Sequence, residues 1–308
     1  MFAASRFVSV AVALLLAQSV VAAGKESKAQ PPKGAAKTAA GAASQAPSAP
    51  VAPPPFAPVV FREGDDVRAW MANNPKKVFD WIEDRIAKVP NKADKFSTRE
   101  ERQAYESAVH DALSSVGQLP FVFPCPKAYN ADAQAFEVMA IFFGIKGSEV
   151  ATRGLSGVGH RDIRIGTENR VVSTYTAQNG FGASFDVTKT EADVYSIAVP
   201  EGIAHGPAEL QPGSFGTQRD ALPGGVITYH LPVPMSSADA RLADGELACA
   251  ALVTLMPPFA TEFARVSPPT RDMRSAYHYK VHAFVAKLDR FMVVNKATGQ
   301  VYLEFKRY

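Results

Sequence analysis

Cysteine is scarce in this chain: Cys125 and Cys249 are the only two among 308 residues. That number excludes a small scaffold held together by a disulfide framework, though it suits an oxidising compartment. The two thiols could pair across a long loop. Because Cys249 sits inside the apolar run ACAALVTLM, a buried free thiol is equally compatible with the pattern. An excess of one charge is lacking too, with 33 basic against 30 acidic residues and a net charge of +3. Four lysines (Lys25, Lys28, Lys33, Lys37) against Glu26 give residues 24–58 a net +3, and Arg6 adds one more, which leaves −1 for residues 59–308. The pI of 8.7 therefore belongs to the N-terminal tail, and the body of the chain has no bulk electrostatic reason to bind nucleic acid. Also missing are a Walker loop, a dinucleotide fingerprint, a calcium loop, any βαβ alternation and any internal repeat.

What is present begins with a leader. Arg6 precedes the apolar run Phe7–Leu16, the chain grows more polar at Gln18 and Ser19, and Val21-Ala22-Ala23 puts small residues where a signal peptidase requires them, before Gly24. Residues 1–23 are thus expected to be a cleaved signal peptide. The rival reading is an uncleaved anchor, since Phe7–Ala23 approaches the length of a membrane span. Residues 24–58 form an Ala/Pro/Lys-rich linker with eleven Ala and eight Pro. Such a stretch cannot bury enough apolar surface to offset its ordering entropy, and its prolines favour extended polyproline conformation.

Residues 59–308 are expected to form a single α+β domain, helical over 59–117 and β-rich over 118–308. Asp65 or Asp66 can cap a short helix carrying Val67, Trp70 and Met71. Asn73-Asn74-Pro75 closes it and starts a second, in which Val78, Ile82, Ile86 and Val89 recur at helical spacing. Ser97 with Glu100 makes a capping box for a third, with an apolar stripe of Tyr105, Val109, Ala112, Leu113 and Val116 ending at Gly117. Trp70 and Trp81 read as core anchors. From Leu119 the period is two. Strands are expected at Phe136–Phe143, Arg170–Ala177, Phe181–Thr188, Val194–Val199, Val226–Leu231 and Glu246–Met256, then over Tyr277–Leu288, in a strand through Asn295, and at Gln300–Phe305. Gln178-Asn179-Gly180 should turn a hairpin, Ser236 or Ser237 should cap a short helix, and Pro257-Pro258 should end a strand. Hairpins and short connections predict a largely antiparallel sheet with short N-terminal helices packed on it.

Chemical candidates are few. Gly154-Leu155-Ser156-Gly157-Val158 resembles a nucleophile elbow but lacks the terminal glycine that the sharp turn needs. The Gly/Ser run before Gly159 reads as a loop, with His160 at its end. His160 and Asp162 are spaced to share a strand face, so an oriented general base is conceivable there. Cys125, flanked by prolines, is a third weak catalytic candidate, with a disulfide to Cys249 as the alternative role. His278 and His282 lie on a β-branched, aromatic stretch. On a strand they would be ~13 Å apart, too far to share a metal. His110, beside Asp111 on a helix, and His205 and His230 complete no ligand set. No cofactor or metal is expected. The sequence therefore points to an exported periplasmic protein that binds an unidentified protein or envelope component through a sheet or helix face. Competing readings are an envelope hydrolase with dispersed active-site residues, a secreted protein, and a protein tethered to the inner membrane by an uncleaved leader.

Overall fold

The structure is a computed structural model and describes residues 55–145, 160–178, 180, 182–200, 218–222, 226–270 and 274–306. The leader, the linker up to Pro54, the Gly154–Val158 pentapeptide, Asn179 and His205 lie outside the described residues.

Three short helices come first among the described residues, each opened by a side chain that pairs an otherwise orphaned backbone N–H. In α1 (Val67–Trp70) the Asp66 carboxylate accepts from Arg68 N–H. In α2 (Pro75–Ala87) Asn74 accepts from Lys77 N–H, and Pro75 takes the first turn, where its missing N–H costs nothing. α3 (Arg99–Ser114) opens with a capping box formed by Thr98 and Glu101. This is one residue later than the expected Ser97–Glu100 pair, because Ser97 Oγ is engaged with Asp94, donating to its carboxylate at 3.1 Å and accepting its N–H at 2.8 Å. Gly117 follows α3 at φ +71°, and a Cβ there would stand 2.9 Å from Val60 Cγ1. Both facts require glycine at this exit. Between α1 and α2 the buried Asn73 side chain accepts from Val59 N–H at 2.7 Å and donates to the carbonyls of Val59 and Pro120 at 2.8 and 2.9 Å. One amide thus ties the entering chain to the first strand.

The strands are β1 (Gln118–Phe123), β2 (Lys127–Asn130), β3 (Ala135–Ile145), β4 (His160–Gln178), β5 (Ser184–Pro200), β6 (Gln218–Leu222), β7 (Val226–Pro234), β8 (Leu247–Ser267), β9 (Ser275–Asn295) and β10 (Val301–Lys306), with helix α4 (Ser237–Ala243) between β7 and β8. They pair in the order β1-β8-β9-β5-β4-β3-β7-β6, with β10 also on β9 and β2 also on β3. Among the described residues every pairing is antiparallel except β5–β9, which is parallel. The chain is α+β in the coarse sense, mostly strand, with a mixed sheet.

Three strands run further than their sequence patterns suggest. Val194–Val199 continues the strand that begins at Ser184, so the hairpin arm and the buried strand are one element, β5. β8 passes through Pro257-Pro258: the ladder breaks between the Leu255–Ala286 and Ala260–Phe284 pairs, and the prolines sit in that bulge, where no N–H is asked of them. β4 starts at His160, inside what the Gly/Ser composition presents as the end of a loop.

Among the described residues the buried apolar side chains separate into three clusters. The largest joins Val78, Phe79 and Ile82 of α2 and Leu113 of α3 to inward residues of β1, β3, β5, β7, β8 and β9, among them Phe121, Phe142, Tyr195, Ile197, Tyr229, Phe284 and Phe291. A second, made mostly of small and β-branched residues, lines the opposite face of β5, β8 and β9: Val194, Ala198, Phe263, Val281, Ala283 and Val285. The third covers the outer face of β8 and β9 with Val67 and Trp70. Trp70 is 3% exposed and is a core anchor, whereas Trp81 is half-buried with the Arg85 guanidinium 4.2 Å over its ring. No helix among the described residues is long and apolar enough to cross a membrane.

Candidate functional site

The sequence candidates occupy places that limit their chemistry. His160 is 3% exposed and opens β4 opposite Ile145 and Pro200, so it is not the exposed loop histidine its neighbours imply. Asp162 is wholly buried and accepts from Arg265 Nη2 at 2.8 Å. Cys125 and Cys249 form a disulfide with 5.7 Å between their Cα atoms, which leaves neither as a nucleophile. His230 pairs with Glu137, and His110 lies 3.8 Å from Asp111.

His278 and His282 lie on one face of β9, where His282 belongs to a row across three strands: Tyr195 on β5, His282 on β9 and Glu262 on β8 are in register. The imidazole stacks on the Tyr195 ring, centroids 4.9 Å apart, and meets the edge of Phe79 from α2 at 5.0 Å. Its Nδ1 lies 2.8 Å from Glu262 Oε1, but misaligned for a hydrogen bond, and its Nε2 lies 3.4 Å from Asp193 Oδ1. The two ring nitrogens face different carboxylates, so no single ion can be shared. Among the described residues no three His, Cys, Asp or Glu side chains converge as metal ligands. Burial holds the Tyr195 phenol well above its ordinary pKa, with the carboxylates around it acting in the same direction. It is therefore a packing surface at neutral pH and no base.

Asp193 is held below the usual carboxylate range, first by the hydrogen bond from Asn169 Nδ2 at 2.7 Å and then by His282, against an opposing effect of burial. A depressed carboxylate pKa adds stability that is complete above the unfolded value and disappears as pH falls through the folded one. Thermal midpoints measured downward from about pH 4 are expected to fall more steeply for the native chain than for Asp193→Asn. Parallel curves would deny Asp193 this role.

On the opposite face, Arg265 of β8 reaches Asp162 of β4 although β9 and β5 lie between those strands in the sheet. This contact requires the sheet to curl over the second apolar cluster, bringing β8 towards β4. Arg164 lies between two aromatic rings, 4.2 Å from the Phe143 centroid and 5.1 Å from that of Tyr279, and Arg265 lies 5.5 Å from the same Phe143 ring. Burial, and secondarily the neighbouring Arg265, lower the Arg164 pKa against the attraction of Asp162.

The third feature is a strand edge. β4 pairs with β5 from end to end, but with β3 only at His160, Arg161 and Asp162. Among the described residues no strand covers its other edge beyond that point. Gly166 still lies against Pro75, whose Cγ would be 3.2 Å from an added Cβ. The register then shifts between Glu168 and Val171, with Asn169 at φ 50°, and the arm beyond this bulge is solvent-facing. Val171, Val172 and Tyr175 are 57, 54 and 42% exposed. The segment Val171–Gln178 (VVSTYTAQ) holds no charge, proline or glycine, and five of its eight residues are β-branched or aromatic. Natural edge strands are normally protected by lysine, proline, bulges or a covering element. Here the bulge stands before the exposed stretch and nothing within it provides protection.

Comparison with protein-family models, curated proteins and solved structures gives no match. The class that can be stated is architectural: an α+β chain whose mixed sheet carries polar groups on both faces and an edge that no described strand covers. Sequence reasoning expects the β4–β5 hairpin but misses that, among the described residues, no strand covers the outer edge of β4 beyond Asp162. It also misses Arg164, Arg265, Glu262 and Tyr195. The available signal was Asp162-Ile163-Arg164-Ile165, a period-two alternation in which the charged positions face a buried side.

Proposed function

We propose that this is an exported, non-enzymatic binding protein that takes up an extended segment of a partner polypeptide along the free edge of β4. The observation that carries the reading is the uncharged, β-branched run Val171–Gln178 on an open edge. Main-chain N–H and C=O groups there offer hydrogen bonds to an added strand, and alternating side chains offer selectivity. The leader and the Ala/Pro-rich linker support export to a periplasmic space and a tether long enough to let the domain reach an envelope component. The N-terminal helices, packed on a largely antiparallel sheet, would act in this reading as a brace that keeps the arm's base rigid.

A photo-crosslinking residue at Tyr175, introduced into the full-length protein in its producing cell, is expected to yield a discrete adduct with another polypeptide. Val172→Lys should reduce that adduct to background while leaving the urea midpoint unchanged, since Val172 is exposed. An adduct indifferent to Val172→Lys would reject the edge as the contact. Mass spectrometry of the same material should find a mature chain beginning at Gly24. An intact Met1 in the membrane fraction would replace the soluble reading with the anchored one.

A further inference from the structure

The concave side of the curled sheet carries more positive charge and more hydrogen-bond donors than its described neighbours use. Arg164 and Ser196 are a cross-strand pair on β4 and β5, so their side chains leave the same face as near neighbours. Ser196 is 0% exposed and its Oγ has no partner, and Arg164 Nε is likewise buried without one. Two adjacent buried donors without an acceptor are rare in folded proteins, because each forfeits its hydration without recompense. Charge points the same way. Arg164 and Arg265 share the Phe143 ring, and one described carboxylate faces the two cations: Asp162, whose Oδ1 accepts from Arg265 Nη2 while its buried Oδ2 has no hydrogen-bond partner, and the Tyr279 hydroxyl bonds the Arg164 side chain but brings no charge. A second desolvated guanidinium calls for an anion of its own.

We propose that Arg164 and Ser196 form a binding site for one small oxyanion group, a carboxylate or a phosphate. Arg164 Nε–H and Ser196 Oγ–H donate to it, and Arg265 contributes charge from the side of Asp162. The flanking Phe143 and Tyr279 rings hold the Arg164 guanidinium in place, so little side-chain entropy is lost on binding. This site is independent of the β4 edge. Either can fail without the other.

The test uses the mature protein in isothermal calorimetry, titrated separately with inorganic phosphate and with acetate at an ionic strength fixed by sodium chloride. Saturable one-to-one binding of either anion is expected, and the better one identifies the group as phosphoryl or carboxylate. Arg164→Gln should raise Kd by about ten- to a hundredfold, and Ser196→Ala by about two- to tenfold, the losses that go with a charge-assisted and a neutral hydrogen bond. Should Arg164→Gln fail to fold, Ser196→Ala, which deletes a single oxygen, carries the test. Absence of saturable binding for both anions overturns the proposal, leaving a buried water as the partner of these donors. Affinities unchanged in Ser196→Ala also overturn it, by placing the anion elsewhere.

Discussion

Replacing Asp162 by Asn is expected to lower the unfolding free energy by about 3–5 kcal/mol, the range found when one member of a buried ion pair is removed. The carboxylate is wholly buried, and Arg265 is 17% exposed at its side chain. The amide keeps the shape but gives up the charge, leaving Arg164 and Arg265 beside the Phe143 ring without the described counterion. Most of the loss is the cost of a desolvated guanidinium, so it should shrink when the second charge is removed as well. The double substitution Asp162→Leu, Arg265→Met is therefore expected to be more stable than Asp162→Asn alone. Urea denaturation followed by tryptophan fluorescence measures both. A loss under about 1 kcal/mol, the worth of a surface pair, would mean that water reaches this network and that the sheet does not close over it.

The second large effect concerns the disulfide. Cys125 and Cys249 are 124 positions apart, and closing a loop of that length restricts the unfolded chain strongly. Replacing both cysteines by alanine is expected to cost about 3–5 kcal/mol, near the upper end of what such links contribute. β1 already pairs with β8 as far as Phe123–Cys249, so the link fastens the end of an existing ladder and the folded sheet can form without it. The alanine pair should accordingly fold to the same secondary structure with a lower urea midpoint, and reductant should move the native protein to that midpoint. Thiol titration of the denatured, unreduced protein should find none free. Two reactive thiols in material taken from its own compartment would contradict both the link and the export reading.

Much of the local structure is legible from residue types because local chemistry decides it. Asp66, Asn74 and Ser236 cap where short polar side chains precede an amphipathic run, and β4 and β5 pair antiparallel on either side of the expected turn. The capping box misses by one residue because Ser97 has a nearer partner in Asp94. The failures share a different cause. Pro257-Pro258 looks like a stop, but a bulge removes the need for the missing N–H, so β8 continues. His160–Ile165 looks half-polar and surface-bound. Its charged face is in fact turned inward, where Asp162 meets Arg265 from a strand that is about a hundred positions away in sequence. Of the candidate site, His160 and Asp162 are visible as a spacing, while the pair Arg164 and Ser196 on one face and the row of Tyr195, His282 and Glu262 on the other come together only through the order β8-β9-β5-β4. No window on the sequence contains that order.

The parallel contact of β5 with β9 has a consequence for assembly. β9 holds β8 along its length, β5 beside its first half and β10 beside its second, while β6, β7, α4 and β8 intervene in the chain between β5 and β9. A polypeptide threaded through a membrane with its N-terminus leading would deliver the β4–β5 hairpin well before the strand that must shelter it. Until Asn295 has passed, two apolar strand margins stand bare. Topologies that rely on such late, distant pairings mature slowly and aggregate while they wait. If the chain is exported as proposed, the domain is expected to depend on a holding chaperone on the way, and a chain cut before Ser275 should behave as an unfolded polypeptide that no shorter stable body can replace.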